Sequence, residues 1–218
     1  MFMKTLVAAG LLFSSTHLHA ESHGPNMANG GSANAWDGYY AGVTIGLGQT
    51  DYSWNSGGDT QIFQLEATGI GVFAGYNKAF SGWVLGAEAA LDLAKAEEGL
   101  TDVDGPGEID VAVGPSLSIS ARAGKPFGDA LVYGFVGAIA AELETVWDGA
   151  LPTGPRGDTH IGGIAGIGVD YKINANTFAR FAVSRAAFET KEYSYCPFCF
   201  SDQSFEQTEV SLGLGVSF

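Results

Sequence analysis

Long apolar runs are absent from most of this 218-residue chain, and charged residues are few. Beyond residue 20, no stretch reaches the roughly 18–20 consecutive apolar residues that a membrane-spanning helix requires. Only 16% of the residues are charged, and the formal net charge is −14. Nucleic-acid phosphates attract basic surfaces, so an acidic chain of this kind is not expected to bind nucleic acid.

The first twenty residues are typical of a secretory signal peptide. Lys4 supplies the positive charge, Thr5 to Phe13 supply a short apolar region, and Ala20 precedes the expected cleavage site. Residues 21–35 are rich in Gly, Asn and Ser, which predicts a flexible periplasmic segment. The remaining residues, 36–218, suit one domain.

Cysteine and histidine are also scarce. Beyond the predicted signal peptide, the only cysteines are Cys196 and Cys199, and the only histidines are His23 and His160. A metal site built on two thiolates therefore lacks partners, and no metal site is predicted. Redox motifs with this spacing belong to a βαβ context, which is not predicted here. Two cysteines in an exported protein most simply form one disulfide, so we predict a Cys196–Cys199 bond in a loop.

Glycine is abundant, with 32 residues interleaved among apolar and aromatic ones. From Val210 to Phe218, apolar residues alternate with small or polar ones, which places the apolar set on one face of a strand. Seven earlier segments alternate in a similar way, and each is near the ~9–11 residues that a tilted membrane strand needs.

The segment from Leu131 to Leu143 is the least clear of these. We place Leu131, Tyr133, Phe135 and Ile139 on the outward face and Glu142 on the inward face. The part from Ala138 to Glu144 is rich in alanine, so a helix is the alternative there.

The connections between these segments alternate between short and long. Short turns are predicted at 78–82, 126–130 and 172–176, and long loops at about 49–68, 95–115, 144–160 and 187–206. The long loops contain sixteen acidic and three basic residues. Several aromatic residues gather near the short turns, as in the girdles of outer-membrane barrels: Trp36, Tyr39, Tyr76, Phe80, Trp83, Phe127, Tyr171 and Phe218.

At these positions the sequence resembles the small outer-membrane β-barrels of Gram-negative bacteria, of the porin-like surface-antigen or OmpA type. The resemblance rests on the segments Trp36 to Gly42, Ala74 to Asn77, Gly86 to Glu88 and Gly166 to Tyr171, together with the C-terminal Phe218. The stretch from Arg185 to Cys199 departs from the family pattern. The resemblance implies an envelope-stabilising surface protein, with Phe218 as the signal read by the outer-membrane barrel-assembly machinery.

The predicted inward face carries seven charged residues: Glu88, Asp92, Arg122, Glu142, Asp170, Arg180 and Glu209. An eight-stranded barrel is only wide enough for side chains to fill it. Because an unpaired buried charge costs several kcal/mol, these groups are expected to pair with one another in a filled lumen. The alternative is a narrow path for small ions or solutes through the charged lumen.

Two loop motifs suggest ligands. Asp102, Asp104, Glu108 and Asp110 form an acidic segment that does not match an EF-hand; it is either a solvated loop or a weak divalent-cation site near lipopolysaccharide phosphates. Arg156, Gly157 and Asp158 form an RGD tripeptide, either an ordinary turn or an adhesion loop. No catalytic residue is predicted, because His160 has no nucleophile at a suitable spacing.

Together these patterns predict an all-β fold, an eight-stranded antiparallel up-and-down barrel in the bacterial outer membrane. A soluble β-sandwich is the alternative fold. A structural role is expected, with outer-membrane lipid and lipopolysaccharide as surroundings and no cofactor. The alternatives are a narrow porin and a surface adhesin or ligand binder that acts through its long acidic loops.

Overall fold

A computed structural model describes residues 32–56, 59–93, 96–101, 107–149, 153–196 and 199–218. These residues form a 3₁₀ turn, η1 (Ala33–Trp36), and ten β-strands. The strands are β1 (Gly38–Ser56), β2 (Asp59–Phe80), β3 (Trp83–Asp92), β4 (Ala96–Thr101), β5 (Gly107–Phe127), β6 (Ala130–Gly149), β7 (Thr153–Lys172), β8 (Thr177–Phe188), β9 (Lys191–Cys196) and β10 (Cys199–Ser217). No helix in the described part of the chain is long and apolar enough to cross a membrane.

The strands form one antiparallel sheet that closes on itself, because β1 pairs with both β2 and β10. Strands β3 and β4 both pair with β5, and β8 and β9 both pair with β10. The ten strands therefore occupy eight positions around the barrel, and neighbours in space follow chain order. The predicted eight-stranded up-and-down barrel is confirmed.

One end of the barrel carries the tight turns, and we call it the turn end. Ser81 and Gly82 join β2 to β3 with φ angles of 48° and 81°. Positive φ at both residues gives a turn whose twist matches that of the paired strands. Residues 128–129 and 173–176 make the other two turns at this end. The three predicted short turns are confirmed.

The opposite end, which we call the loop end, contains more strand than predicted. Strands β1 and β2 remain paired out to Ser56 and Asp59, and β5 and β6 remain paired out to Gly107 and Gly149. The prediction of four long loops is therefore wrong for most of their described length, which is strand. In these strands the apolar alternation stops where the outward residues become polar. The backbone pairing continues past that point, since backbone donors and acceptors pair whatever the side chains are.

Backbone pairing divides the loop end into two sheets. From Gly71 toward the loop end, the strand ladder of β2 continues with β1 only, and β4 pairs only with β5. Beyond Gly162, toward the loop end, β7 pairs only with β6, and β9 pairs only with β10. In the described backbone, one sheet contains β9, β10, β1 and β2, and the other contains β4, β5, β6 and β7. We call the β2–β4 gap seam A and the β7–β9 gap seam B.

Inward and outward side chains alternate as predicted in most strands, but β6 has the opposite phase. Its residues Leu131, Tyr133 and Ile139 are buried, whereas Val132 and Val136 are exposed. The prediction for Phe135 is wrong as well, since Phe135 packs against the buried core. Both faces of β6 are apolar, so hydrophobicity alone did not fix its phase. The alanine-rich part is strand and not helix.

The turn end of the lumen is closed by an apolar layer. Trp36 packs there in a cluster with Tyr40, Phe73, Val84, Leu131, Tyr133 and Phe178. The rings of Trp36 and Phe178 meet edge-on, with centroids 6.1 Å apart. Trp36 is only 7% exposed, so its predicted place in the outer aromatic girdle is wrong. The turn η1 carries its side chain beneath the mouth of the barrel.

A second, largely apolar group of buried side chains lies in the lumen toward the loop end. Phe188 and Phe205 stack with their ring centroids 4.0 Å apart, and His160 meets Phe205 edge-on at 5.1 Å. Leu65 and Thr50 are buried on neighbouring strands. We call Phe188, Phe205 and His160 the upper cluster. The charged part of the lumen therefore lies between two buried layers.

Candidate functional site in the barrel lumen

Four charged side chains from four strands meet between these layers. Glu88 comes from β3, Arg122 from β5, Asp170 from β7 and Arg180 from β8. The residues before and after each of them are apolar and point outward, so its own side chain points into the lumen. We call these residues the lumen quartet. The structure thus brings together four of the seven predicted lumen charges.

Asp170 binds both arginines. Arg180 donates from Nε to Oδ1 at 2.8 Å and from Nη2 to Oδ2 at 3.1 Å. Arg122 donates from Nη2 to Oδ2 at 2.8 Å. The Asp170 carboxylate therefore receives a two-point contact from one guanidinium and a single contact from the other, the geometry in which arginine fixes orientation as well as charge.

Glu88 completes the arrangement from the other side of the lumen. Its Oε2 accepts hydrogen bonds from Arg180 Nη1 at 2.9 Å, Arg122 Nη1 at 3.1 Å and the Tyr40 hydroxyl at 2.8 Å. The Tyr40 oxygen also accepts a hydrogen bond from Arg122 Nη1 at 3.0 Å. The four charged groups and one hydroxyl form a single hydrogen-bonded network.

Each arginine also lies over an aromatic ring. The Arg122 guanidinium carbon is 3.7 Å from the centroid of Tyr133, and that of Arg180 is 3.9 Å from the centroid of Phe73. The negative face of an aromatic ring attracts a cation, most strongly where water is excluded. The rings therefore add to the stabilisation of both guanidinium groups.

The quartet contains two positive and two negative charges, so it is neutral overall. The side chains of Arg122 and Asp170 are each 2% exposed, that of Arg180 is 4% exposed, and that of Glu88 is 16% exposed. Such groups are tolerated away from water only when they are paired and hydrogen-bonded. Because the charged groups bind one another, the arrangement links four strands through ion pairs and hydrogen bonds.

Glycines beneath the aromatic rings provide the space for this packing. A Cβ atom on Gly168 would lie 2.5 Å from the ring of Tyr133, closer than atoms can approach. The same relationship joins four other glycines to rings on adjacent strands: Gly42 to Phe73, Gly75 to Tyr40, Gly166 to Phe135, and Gly215 to Phe178. These contacts account for part of the high glycine content.

Asp92 and Glu209 face the lumen above the quartet but do not join its ion pairs. They line a small cavity together with Gly46, Gly48, Ala67, Gly69 and Gln207. Glycines again make the space, since a Cβ on Gly46 would lie 2.8 Å from Glu209 Oε1. The two carboxylates are therefore predicted lumen residues that the structure places in a separate group.

The prediction that Glu142 faces the lumen is wrong. Glu142 is exposed, whereas its neighbour Ala141 is buried. The cause is the reversed phase of β6, which turns even-numbered residues of that strand outward. In β5, the partner strand, the pairing register shifts between Val113 and Ser116, where Pro115 cannot donate a ladder hydrogen bond.

Sequence reasoning missed the aromatic partners Tyr40, Phe73 and Tyr133. The sequence pattern predicts an outward Tyr133, so it gives no reason to expect the contact with Arg122. Its cross-strand neighbours are Gly124 on β5 and Gly168 on β7. Two inward glycines on either side leave a gap that a large ring fills, and this was the signal available in the sequence.

An exposed ion pair anchors the chain at the turn end. Asp37, just before β1, lies 2.9 Å from Lys78 Nζ and accepts a hydrogen bond from the Ala79 amide at 3.3 Å. The hydrogen bond from Lys78, followed by that from Ala79, lowers the pKa of Asp37 below its ordinary value. This contact holds η1 against the end of β2.

The described residues contain no group of three or more His, Cys, Asp or Glu side chains arranged to hold a metal ion. The sequence matches the family of outer membrane protein beta-barrel domains over residues 5–218. The chain belongs to this family. Membership places this barrel in the outer membrane, as predicted.

Solved structures of small outer-membrane barrels are similar to this barrel at low identity. Neisserial surface protein A (NspA) is 15% identical, with 87% of this chain and 100% of that chain covered and a TM-score of 0.45. OprG from Pseudomonas aeruginosa is 18% identical, with coverages of 86% and 99% and a TM-score of 0.45. Ail of Yersinia pestis is 15% identical, with coverages of 84% and 99% and a TM-score of 0.41. No curated protein matches the sequence.

The outer surface of this outer-membrane barrel suits a lipid environment. Val43, Ile45 and Leu47 of β1 are exposed, as are the alternating apolar residues of the other strands. Seven of the eight predicted girdle aromatics lie exposed near the turn end: Tyr39, Tyr76, Phe80, Trp83, Phe127, Tyr171 and Phe218. Amphipathic rings favour the headgroup level of a membrane.

The remaining predicted sites lie near the barrel ends. Arg156, Gly157 and Asp158 belong to β7 and pair with β6, so the expected turn at this tripeptide is wrong. Cys196 and Cys199 are paired in the backbone ladder of β9 and β10, and their disulfide stays a prediction. The acidic segment is described only from Gly107 onward, and Asp102 and Asp104 lie outside the described residues, as does the predicted signal peptide.

Phe218 lies at the turn end, where its amide donates to the Tyr39 carbonyl at 3.0 Å. Its side chain is 75% exposed. The last residues of the predicted periplasmic segment form η1, with Ala33 buried at the barrel mouth. Both chain ends described here therefore meet at the same end of the barrel, as an even number of strands requires.

Proposed function

We propose that this protein is a structural component of the outer membrane, without catalytic or channel activity, that presents acidic strands beyond the membrane. The observation that carries the proposal is that buried side chains occupy the lumen on both sides of the small cavity lined by Asp92 and Glu209. An aromatic layer under Trp36, the neutral lumen quartet and the upper cluster follow one another along the barrel axis. A solute would have to displace all three.

The bonding of the charged groups supports a structural role. The two arginines and the carboxylates of Glu88 and Asp170 are hydrogen-bonded to one another, and Arg122 and Arg180 also rest on rings. A reactive or transporting group would need room for a substrate beside it. The quartet joins four strands and stabilises the closed barrel.

The surroundings follow from the location. We expect lipopolysaccharide and membrane lipid to contact the barrel, and weakly bound divalent cations to bridge its acidic loop end to lipid phosphates. We expect the signal peptide to direct export and Phe218 to be recognised by the barrel-assembly machinery. We expect this protein to need no cofactor.

Two measurements test the proposal. A gel run with and without boiling should reveal a heat-modifiable band in the outer-membrane fraction, the mark of a closed barrel. The purified protein in planar lipid bilayers should then give no stable conductance steps. Steady steps in the wild-type protein would overturn the proposal.

One observation favours a narrow cation-conducting porin as the second candidate. Asp92 and Glu209 line a cavity without taking part in the quartet's ion pairs. If conductance steps occur, Asp92→Asn and Glu209→Gln should reduce the preference for cations. Glu142→Gln is the matched control, because Glu142 is exposed outside the lumen and its loss should leave ion preference unchanged.

The adhesin alternative rests on Arg156, Gly157 and Asp158. Their place in a paired strand gives them an extended backbone instead of a turn. Binding of the wild-type protein to host cells that is lost in Arg156→Ala, with outer-membrane insertion intact, would support adhesion. Unchanged binding would remove this alternative.

A further inference from the structure

Seam B is the place where one strand leaves its neighbour. Strand β8 pairs with β7 as far as Phe188 and Gly162. The Glu189 amide then donates to the Ile161 carbonyl at 3.0 Å. From Lys191 onward, the backbone pairs with β10 and no longer with β7, beginning at Gln203. The wall of the barrel therefore loses its main-chain hydrogen bonds at this point.

The next acceptor on the edge of β7 is taken by a side chain. Carbonyl groups that point to the same neighbour occur at every second residue of a strand, so Thr159 follows Ile161 along this edge. The Thr159 carbonyl accepts a hydrogen bond from Lys191 Nζ at 2.7 Å. The backbone of Lys191 thus belongs to one sheet, while its ammonium group continues the ladder of the other.

Two carboxylates flank this ammonium group. Lys191 Nζ lies 3.9 Å from Asp158 Oδ1 and 3.9 Å from Glu189 Oε1. The lysine side chain is 28% exposed, less than either carboxylate. The Lys191 side chain therefore spans the seam, with its ammonium group bonded to a β7 carbonyl and flanked by two acids.

The upper cluster lies behind this seam. Phe188 ends β8, His160 is next to Thr159 on β7, and Phe205 lies on β10 between its pairing with β8 and its pairing with β9. We propose that Lys191 is a latch across seam B that holds the two loop-end sheets together over the upper cluster. Release of the latch separates β9 from β7 without opening the closed part of the barrel.

Hydrogen exchange of the protein in lipid nanodiscs tests the latch. Lys191→Met should speed exchange of the Glu189 amide by roughly 3- to 10-fold, the loss expected for one hydrogen bond. The Leu93 amide, which makes the corresponding last bond to Ile70 at seam A, should exchange at its original rate. Lys191→Arg should keep the protection, because arginine supplies donors of similar reach.

Equal exchange of the Glu189 amide in Lys191→Met and wild type would overturn the proposal. Faster exchange at Leu93 as well would indicate general destabilisation and would also count against a local latch. If Lys191→Met fails to give a heat-modifiable band, folded wild type and folded Lys191→Arg can be acetylated and compared. Only acetylated wild type loses the ammonium at residue 191, so only its Glu189 amide should exchange faster.

Discussion

The guanidinium carbon of Arg122 lies 3.7 Å from the centroid of Tyr133, on the neighbouring strand. Tyr133 in turn covers Gly168, on the strand beyond it. Charge, ring and glycine therefore form one stack across β5, β6 and β7. Each member depends on the next, so a change at any of them should affect the stability of the barrel.

Loss of one quartet arginine should strongly destabilise the barrel. Arg122→Met leaves Glu88 and Asp170 with a single arginine, and removing one partner of a buried ion pair costs about 3–5 kcal/mol. Urea unfolding in lipid vesicles measures the change in free energy of unfolding. Arg185→Met is the control, because Arg185 forms an exposed pair with Glu206 and exposed pairs contribute little to stability. Equal losses for the two variants would contradict the role of the quartet.

A methyl group beneath the Tyr133 ring should also destabilise the barrel. In Gly168→Ala the new Cβ would lie 2.5 Å from the ring, and overpacking of this kind costs about 1–3 kcal/mol. The same unfolding measurement checks the loss. Gly163→Ala, on the same strand, is the matched control, since a Cβ there meets nothing within 4 Å. A similar loss in both variants would show that the close approach to the Tyr133 ring is not the cause of the destabilisation.

The Asp37–Lys78 contact should respond to pH. Because the folded pKa of Asp37 is lowered, its stabilising effect is complete above about pH 4, the ordinary pKa of aspartate. That effect is lost as the pH falls through the lowered folded pKa. An NMR titration of the Asp37 carboxyl carbon measures the pKa directly.

Lys78→Met should raise the pKa of Asp37 only part of the way to its ordinary value. The hydrogen bond from the Ala79 amide remains in the variant and still favours the charged carboxylate. Lys125→Met, at the same end of the barrel, should leave the titration unchanged. An unaltered pKa in Lys78→Met would mean that the lysine is not the main partner.

Removal of the terminal ring should impair assembly more than stability. The Phe218 side chain is 75% exposed, so Phe218→Ala removes few protein contacts, and the backbone bond to Tyr39 remains. We expect less heat-modifiable protein in outer membranes but a similar free energy of unfolding after refolding in vitro. Val216→Ala changes an exposed residue near the end of β10, two positions before Phe218, and should leave both unchanged. An equal deficit in both variants would indicate a general effect of strand hydrophobicity.

Strict alternation was enough to predict most of the barrel. When one face of a strand is apolar and the opposite face is small or polar, the pattern shows which face points outward. The inward placement of Glu88, Arg122, Asp170 and Arg180 followed from the same rule. Where both faces of a strand are apolar, as in β6, alternation does not show which face points into the lumen. Tyr133 and Glu142 were misplaced together, since one reversed strand exchanges both of its faces.

Pairing beyond the apolar region was not predictable from hydrophobicity. Residues such as Arg156 and Asp158 have polar, turn-like neighbours, yet backbone hydrogen bonds with β6 keep them in a strand. The placement of Trp36 was missed for a related reason. Aromatic residues near a membrane boundary can face lipid or the barrel mouth, and only the path of η1 decides between these.

The lumen quartet has a consequence for the order of folding. Glu88 and Arg180 are separated by 92 residues, so their bond forms only when both halves of the chain have come together. Asp170 and Arg180 are only ten residues apart and can pair earlier, so the late contact is the one that adds Glu88 to them. The quartet is therefore completed only when the barrel closes, and we expect closure to be a cooperative step.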